Sequence, residues 1–389
     1  MRQKMPTFVK FIFKKYVVGY YSTKIDFLYI IYLSYKLPVM IRTKIAGIGM
    51  YVPENVVTNN DLLKYMDTSD EWIQERTGIK ERRYADRTGE TTTTMGVEAA
   101  KIAIERAGLT NSDIDFIVFA TICPDYYFPG CGVLLQRAMQ MKDIGALDVR
   151  NQCSGFIYAL SVADQFIKTG MYKNILLVAS EKHSFGLDFS TRGRNISVIF
   201  GDGAGAVVLQ PIEDTDNGIL STHLHSDGNN AEILAMYNPG THANHWMNGQ
   251  KLADFDDAGV GEMFMSHAMI DNAQNFPNMD GPAVFKVAVE KFPEVILEAL
   301  NTNGYKTSDL RLLIPHQANL RISQFIQKKL RLSDEQVYNN IQQYGNTTAA
   351  SIPIALCEAW EKGMIKDGDL VCLAAFGSGF TWASALLRW

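Results

Sequence analysis

The sequence predicts an α/β protein built from two similar halves, and three observations carry that expectation. The first is an internal echo: residues 104–120 read IERAGLTNSDIDFIVFA and residues 300–315 read LNTNGYKTSDLRLLIP. Each is a helical pattern ending at a glycine (Gly108, Gly304), then a Ser-Asp pair (Ser112–Asp113, Ser308–Asp309), then an apolar strand. The second is another echo in the same order: Phe200-Gly-Asp-Gly203 feeds AGAVVL, and Phe376-Gly-Ser-Gly379 feeds FTWASALL. The third is the alternation of helical patterns with short apolar runs such as NILLVAS (174–180) and LVCLAAF (370–376). Continuous apolar runs of strand length belong to sheets buried on both faces, which requires helices on both sides. The expected halves are 40–212 and 213–389.

Each remaining stretch has a reading of its own. Residues 1–39 carry seven Lys/Arg, one acidic residue and many aromatics. Their longest apolar stretch, Phe27–Leu33, is too short to span a bilayer, and no small-residue cleavage site follows. They read as an N-terminal extension, disordered or upstream of the native start, with a basic aromatic membrane-surface segment as the rival reading. At Met40 the text changes to MIRTKIAGIGMYVPENVV, a strand, glycines and a turn. Residues 232–281 are rich in Asn, Met, Gly, His and Asp with weak periodicity, and read as an inserted cap.

Bulk composition narrows the class. With 47% hydrophobic and 20% charged residues in 389, the chain has the make-up of a well-packed globular protein. A net charge of −5 offers nothing that would hold nucleic acid globally. Five cysteines, odd in number and without a CxxC pair, argue against a disulfide framework or structural zinc and for a reducing, cytoplasmic setting.

Three residues stand out as candidates for chemistry. Cys153, in DVRNQCSGFIYALSVADQFI, lies between a strand-like lead-in (Gly145–Val149) and an apolar helix. A helix N-terminus favours thiolate, and the small neighbours admit a substrate. Cys123, Cys131, Cys357 and Cys372 lack this setting and read as packing residues. His316, in LRLLIPHQANLRI, follows an apolar strand directly, where α/β proteins place site groups. Asn346, in QQYGNTTAASIPIALCEAW, sits in a turn capping a helix that begins near Thr347 or Thr348. Each also suits a structural role: buried thiol, hydrogen-bonded imidazole, turn asparagine. The glycine turn at Gly377, Ser378 and Gly379 can expose backbone N–H groups to an oxyanion. The pairs His223/His225 and His242/His245 have no companion carboxylate or thiolate in sequence and are not read as metal ligands.

Taken together, these segments resemble the β-ketoacyl-acyl-carrier-protein synthase III family over nearly the whole chain from Met40. DEWIQERTGIKERR (70–83), the Cys153 segment, IFGDGAGAVVL (199–209), PHQANLRI (315–322), GNTTAASIP (345–353) and AFGSGFTW (375–382) match its signatures in order. The resemblance implies a thiolase-like duplicated fold: two similar βαβαβαββ halves in five α-β-α-β-α layers. It implies a Cys153–His316–Asn346 triad, acylation of Cys153 by acyl-CoA, and decarboxylative condensation with malonyl-acyl-carrier protein. The backbone N–H groups of Cys153 and Ser378 would form the oxyanion hole, with no metal or redox cofactor. By the same carry-over, Trp72, Arg76 and Asn319 resemble CoA contacts, and either Arg192 or Arg194 in STRGRN resembles the second arginine at the adenine. Lys286, Arg321, Lys328 and Lys329 match a carrier-protein patch. Phe128, in YYFPGC, matches a residue lining the partner's acyl pocket in a homodimer. The long 232–281 segment departs from compact members and leaves the acyl chain length open. Rival readings are a Cys-His-Asn thioester hydrolase, an acyltransferase acting on an alcohol or amine, and a non-catalytic scaffold.

Overall fold

The computed structural model describes residues 41–213, 216–240 and 267–389. The reading of residues 1–39, and that of the cap between 241 and 266, fall outside the described residues.

The elements run β1 (Ile41–Tyr51), β2 (Val56–Thr58), α1 (Asp70–Thr77), β3 (Glu81–Arg83), α2 (Thr92–Arg106), β4 (Phe116–Ala120), α3 (Cys131–Ala138), β5 (Gly145–Val149), α4 (Gly155–Lys168), β6 (Ile175–Glu181) and β7 (Gly203–Glu213). There follow β8 (Gly218–Ser226), β9 (Leu234–Ala235), β10 (Asn278–Met279), α5 (Gly281–Thr302), β11 (Leu312–Pro315), α6 (Leu320–Leu330), α7 (Ser351–Glu361), β12 (Leu370–Gly377) and β13 (Thr381–Arg388).

Two sheets carry the architecture. One has the order β1-β7-β6-β4-β5, the other β8-β13-β12-β11. Their directions repeat as well: β4–β6 and β11–β12 are parallel, β6–β7 and β12–β13 antiparallel, β7–β1 and β13–β8 antiparallel. Strand β5 extends the first sheet by pairing parallel to β4. The first echo marks equivalent corners: 3₁₀ turns at Asn111–Asp113 and Thr307–Asp309 precede β4 and β11. In each, the aspartate accepts the N–H of the residue before the turn, Thr110 or Lys306, at 2.8 Å. Gly108 and Gly304 adopt φ of +68° and +74° with open space where a Cβ would stand, so it is the left-handed backbone that calls for glycine there.

The strands alternate between two apolar environments. Phe116, Val118 and Ala120 of β4 face a central core while Ile117 and Phe119 face an outer one. Val371, Leu373 and Ala375 of β12 join the same central core, and Leu370, Cys372 and Phe376 an opposite outer one. Helices α4 and α7 fill the centre through Phe156, Leu160, Ile352 and Ala355. Helix α2 covers the first sheet through Met95, Ala99 and Ala103, and α5 and α6 cover the second through Phe292, Ile296 and Ile326. The layers are therefore α-β-α-β-α, and each sheet is apolar on both faces as the continuous runs require.

Part of the cap lies within the described residues. A 3₁₀ segment (Gly228–Ile233) leads into β9, which pairs with β10. Among the described residues, no helix is long and apolar enough to cross a membrane.

Candidate active site

The site forms where β11 and β12, which run parallel, both end. Cys153 lies in a 3₁₀ turn, Gln152–Ser154, ahead of α4, and Gln152 takes a left-handed φ of +44°. The end of β12 presses against it: a Cβ added to Gly377 would stand 2.6 Å from Cys153 Cβ and 3.2 Å from its sulfur. Only glycine lets the strand end come so close. That approach brings the N–H of Ser378, with Cys153's own N–H, near enough to the Cys153 sulfur to favour its charged form.

The expectation of a thiolate at the helix start needs correction. Burial, reinforced by the nearby Glu181 carboxyl, pushes the Cys153 thiol up to about 12 despite the two N–H groups. A helix terminus contributes about 1 kcal/mol at most exposed sites, whereas full burial shifts a group by several pKa units.

His316 follows β11 directly, and its N–H donates to Ala374 of β12 at 2.8 Å. Its buried ring places Nδ1 2.7 Å from Ser351 Oγ at the start of α7, while Nε2 is buried with no partner among the described residues. Burial, with His183 nearby, lowers His316 to about 3, so the ring is neutral. Asn346 is pinned by backbone bonds to Ile199 (2.9 Å) and Gly201 (3.1 Å). Its Oδ1 accepts the Thr348 N–H at 2.8 Å, capping a 3₁₀ turn, Thr348–Ala350, that runs into α7. That turn also meets the Cys153 segment, since a Cβ on Gly155 would lie 3.3 Å from Ala349 Cβ. The turn carrying Asn346, the residue holding His316 and the segment carrying Cys153 are thus packed together.

Two further groups were not singled out from sequence. Glu181, fully buried, accepts hydrogen bonds from Thr121 Oγ1 (3.0 Å) and from the N–H groups of Ile122 (3.1 Å) and Cys123 (3.2 Å), and also from Ala349 N–H. Burial raises it to about 7 against these bonds. His183 places Nε2 2.6 Å from Thr348 Oγ1 and Nδ1 3.4 Å from Cys123 Sγ. Burial lowers it to about 3. Cys123, expected only to pack, therefore has a polar partner. Among the described residues, Cys123, Glu181 and His183 bring their ligand atoms within 4.8 Å of one another, but each is engaged in the bonds just given. The available signal was Glu181-Lys182-His183 at the end of apolar β6, a strand end like the one that drew attention to His316.

These shifts set a pH dependence of stability. His183 is neutral when folded down to about pH 3, whereas an unfolded histidine gains a proton below about 6.5. Its contribution is therefore complete above 6.5 and is lost as pH falls towards 3. Glu181 has the opposite sign: raised to about 7, it favours folding at low pH and loses that contribution between about 4.5 and 7. In denaturant titrations, His183→Gln is expected to lower the slope of unfolding free energy against pH by about 1.4 kcal/mol per unit between about pH 5 and 6.

The remaining sequence candidates fall into three places. Trp72 and Arg76 lie on α1, with the Arg76 guanidinium 4.4 Å from the indole centre and the Arg194 guanidinium 4.9 Å from it. Arg192 instead pairs with Asp188 at 2.7 Å and faces Phe276, so Arg194 is the arginine brought to Trp72. Asn319 links this region to α6: its Nδ2 donates to Arg76 carbonyl at 2.9 Å and its Oδ1 accepts from Arg321 N–H. Lys286 on α5 and Arg321, Lys328 and Lys329 on α6 are all exposed, on two helices packed through Phe285 and Phe325. Phe128 is 80% exposed, beside exposed Tyr126 and Tyr127. His223 and His225, read as lacking a carboxylate, share Glu298 at 3.3 and 2.6 Å across β8 and α5.

The duplicated five-layer architecture, with the cysteine turn packed against two strand ends, is the thiolase fold. The family model "3-Oxoacyl-[acyl-carrier-protein (ACP)] synthase III C terminal" matches residues 300–389, and "3-Oxoacyl-[acyl-carrier-protein (ACP)] synthase III" matches residues 147–228. A β-ketoacyl-[acyl-carrier-protein] synthase III from Xanthomonas campestris is 45% identical over 350 residues, 90% of this chain and 99% of that protein. One from Aquifex aeolicus is 44% identical over 347 residues, 89% and 99% of the two chains. The crystal structure of 3-oxoacyl-[acyl-carrier-protein] synthase III from Aquifex aeolicus VF5 superimposes with a TM-score of 0.77 at 43% identity, covering 89% of this chain and 100% of that one. The chain belongs to the β-ketoacyl-acyl-carrier-protein synthase III family.

Proposed function

We propose that the protein condenses an acyl-CoA primer with malonyl-acyl-carrier protein, releasing CO₂ and forming β-ketoacyl-acyl-carrier protein at the start of a fatty-acid or related chain. The single observation that carries the reading is the pairing of a sulfur under two backbone N–H groups with a neutral imidazole whose buried Nε2 has no protein partner.

In the first step the Cys153 sulfur attacks the acyl thioester. A new S–C bond forms, the bond to CoA breaks, and the thiol proton leaves with the CoA sulfur. The N–H groups of Cys153 and Ser378 hold the oxyanion of the tetrahedral intermediate. In the second step the malonyl C–C bond breaks, CO₂ departs, and the electron pair remains as an enolate. Ser351 Oγ, which accepts Gln317 N–H at 3.4 Å, would give its own proton to His316 Nδ1 at 2.7 Å in the tautomer this step requires. His316 Nε2 then carries its proton and donates to the enolate oxygen. Asn346, whose Oδ1 is committed to Thr348, donates from its amide NH₂. The carbon attacks acyl-Cys153, the S–C bond breaks, and the thiolate takes up a proton. The reaction so written calls for no metal or redox cofactor.

Trp72 with Arg76 and Arg194 would receive the CoA nucleotide, an aromatic face and two guanidinium groups suiting a purine and its phosphates. Asn319 would lie by the pantetheine arm. The basic residues of α5 and α6 would meet the acidic carrier protein. Reversing two of them, Lys328→Glu with Lys329→Glu, is expected to raise KM for malonyl-carrier protein roughly tenfold and weaken its salt dependence. Acylation by acyl-CoA, followed separately, should stay unchanged.

A homodimer is favoured by β5, which among the described residues pairs with β4 alone and carries exposed Leu147, and by Phe128, Tyr126 and Tyr127 exposed nearby. Unpaired apolar edges invite a second copy. Phe128 would then line the partner's acyl pocket. A cytoplasmic location fits free cysteines that the structure leaves unbridged.

Intact-protein mass spectrometry with acyl-CoAs from acetyl to dodecanoyl, followed by malonyl-carrier protein, tests the reading. An adduct discharged as β-ketoacyl-carrier protein supports it and identifies the primer. Discharge to water or to an alcohol would favour a hydrolase or acyltransferase of this fold.

A further inference from the structure

We propose that His183 is a positioning residue that, through the Thr348 hydroxyl, holds the turn presenting Asn346 to the condensation step; this rests on the reaction proposed above. His183 lies just beyond the end of β6, and its ring is buried. Its Nε2 is 2.6 Å from Thr348 Oγ1, a short bond between two buried groups. The same ring packs 4.5 Å from Phe200, whose backbone bridges Asn346. Thr348 itself takes a φ of +47°, an unusual conformation for a β-branched residue, which persists only where the surroundings enforce it.

The consequence for Asn346 follows from its own bonds. Its amide is oriented by donation from Thr348 N–H to Oδ1, so the side chain points its NH₂ correctly only while Thr348 keeps that backbone conformation. Two side-chain anchors fix the turn: Ala349 N–H donates to Glu181, and Thr348 Oγ1 is bonded to His183. A side chain serving only to fill volume against Phe200 would need no nitrogen at that spot. The ring's other nitrogen, 3.4 Å from Cys123 Sγ, fixes the ring plane from the opposite side. His183 thus acts first on the Asn346 turn and so on the second half-reaction, its side-chain bonds going to Thr348 and Cys123 and not to Cys153 or Ser378.

Single-turnover kinetics on the full chain separates this role from a general structural one. Acylation of Cys153 by the preferred acyl-CoA is followed by intact mass, then discharge after malonyl-carrier protein is added. His183→Leu and Thr348→Val are each expected to acylate like wild type while discharge slows roughly 10–100-fold, the scale set by a displaced catalytic group. His183→Gln, which keeps a polar atom near Nε2, is expected to recover most of the rate. Should His183→Leu be too unstable to purify, Thr348→Val carries the test, since it removes only the hydroxyl. Equal slowing of acylation and discharge, or unimpaired discharge in both variants, would overturn the inference alone. Failure of wild type to discharge onto malonyl-carrier protein would overturn the proposed reaction, and the inference with it.

Discussion

Cys153→Ala is expected to show no mass increase with any acyl-CoA and no β-ketoacyl product. The loss should be complete within detection, because no other cysteine shares the setting. Cys131, Cys357 and Cys372 are buried in cores or helices and, like Cys153, are pushed up to about 12 by burial; Cys131 Sγ accepts the Asp125 N–H, and Cys357 meets the Arg106 and Glu361 side chains. The closest rival is Cys123, beside His183 and Glu181. Burial and two neighbouring carboxyls raise its thiol well above the ordinary range. The alanine variant should fold normally, as it removes one sulfur from a site that already meets Gly377 closely. Intact mass and thermal melting of wild type and variant side by side check both points.

The second large effect separates the half-reactions. His316→Ala and Asn346→Ala are expected to keep acylation of Cys153 and to slow decarboxylative discharge about 10²–10³-fold each, the usual effect of removing one oxyanion donor. In free-energy terms that is about 2.7–4 kcal/mol of transition-state stabilisation. The reasoning is geometric. In the proposed reaction the acyl oxyanion is served by the Cys153 and Ser378 N–H groups, neither of which belongs to His316 or Asn346. His316→Ala also leaves Ser351 Oγ without its 2.7 Å partner, so some loss of stability, about 1–3 kcal/mol, should accompany it. Melting measurements separate that loss from the kinetic one. Slowing of acylation to the same extent would show that the two residues serve the nucleophile instead.

Much of this was legible in the chain because it is local. Gly108 and Gly304 mark left-handed helix ends, Asp113 and Asp309 cap the turns that follow, and the apolar runs of β6 and β12 announce sheets buried twice. Cys153, His316 and Asn346 drew attention as candidates because each follows a strand or opens a turn, positions with a recognisable local pattern. What escaped depends on contacts distant in sequence. The bond between His183 and Thr348 spans 165 residues, and nothing in either segment alone announces it. Glu298 lies 73 residues from His225, so the carboxylate that serves both histidines of β8 could not be paired with them from spacing. Which of Arg192 and Arg194 stands beside Trp72 likewise depends on long-range packing, and on Asp188 pairing with Arg192. The state of the Cys153 thiol also escaped, because burial is a property of the assembled core and outweighs what a helix start suggests.

The most direct test of the central claim is the stoichiometry of CO₂ release. Acyl-Cys153 protein, freed of acyl-CoA, would be mixed with malonyl-carrier protein labelled at the free carboxyl carbon, and labelled CO₂ and carrier mass followed together. One CO₂ for each acyl group lost from Cys153, with the acyl group gained by the carrier as a β-ketoacyl chain, is the expected result. Loss of the acyl group to water or another acceptor without CO₂ would contradict the account.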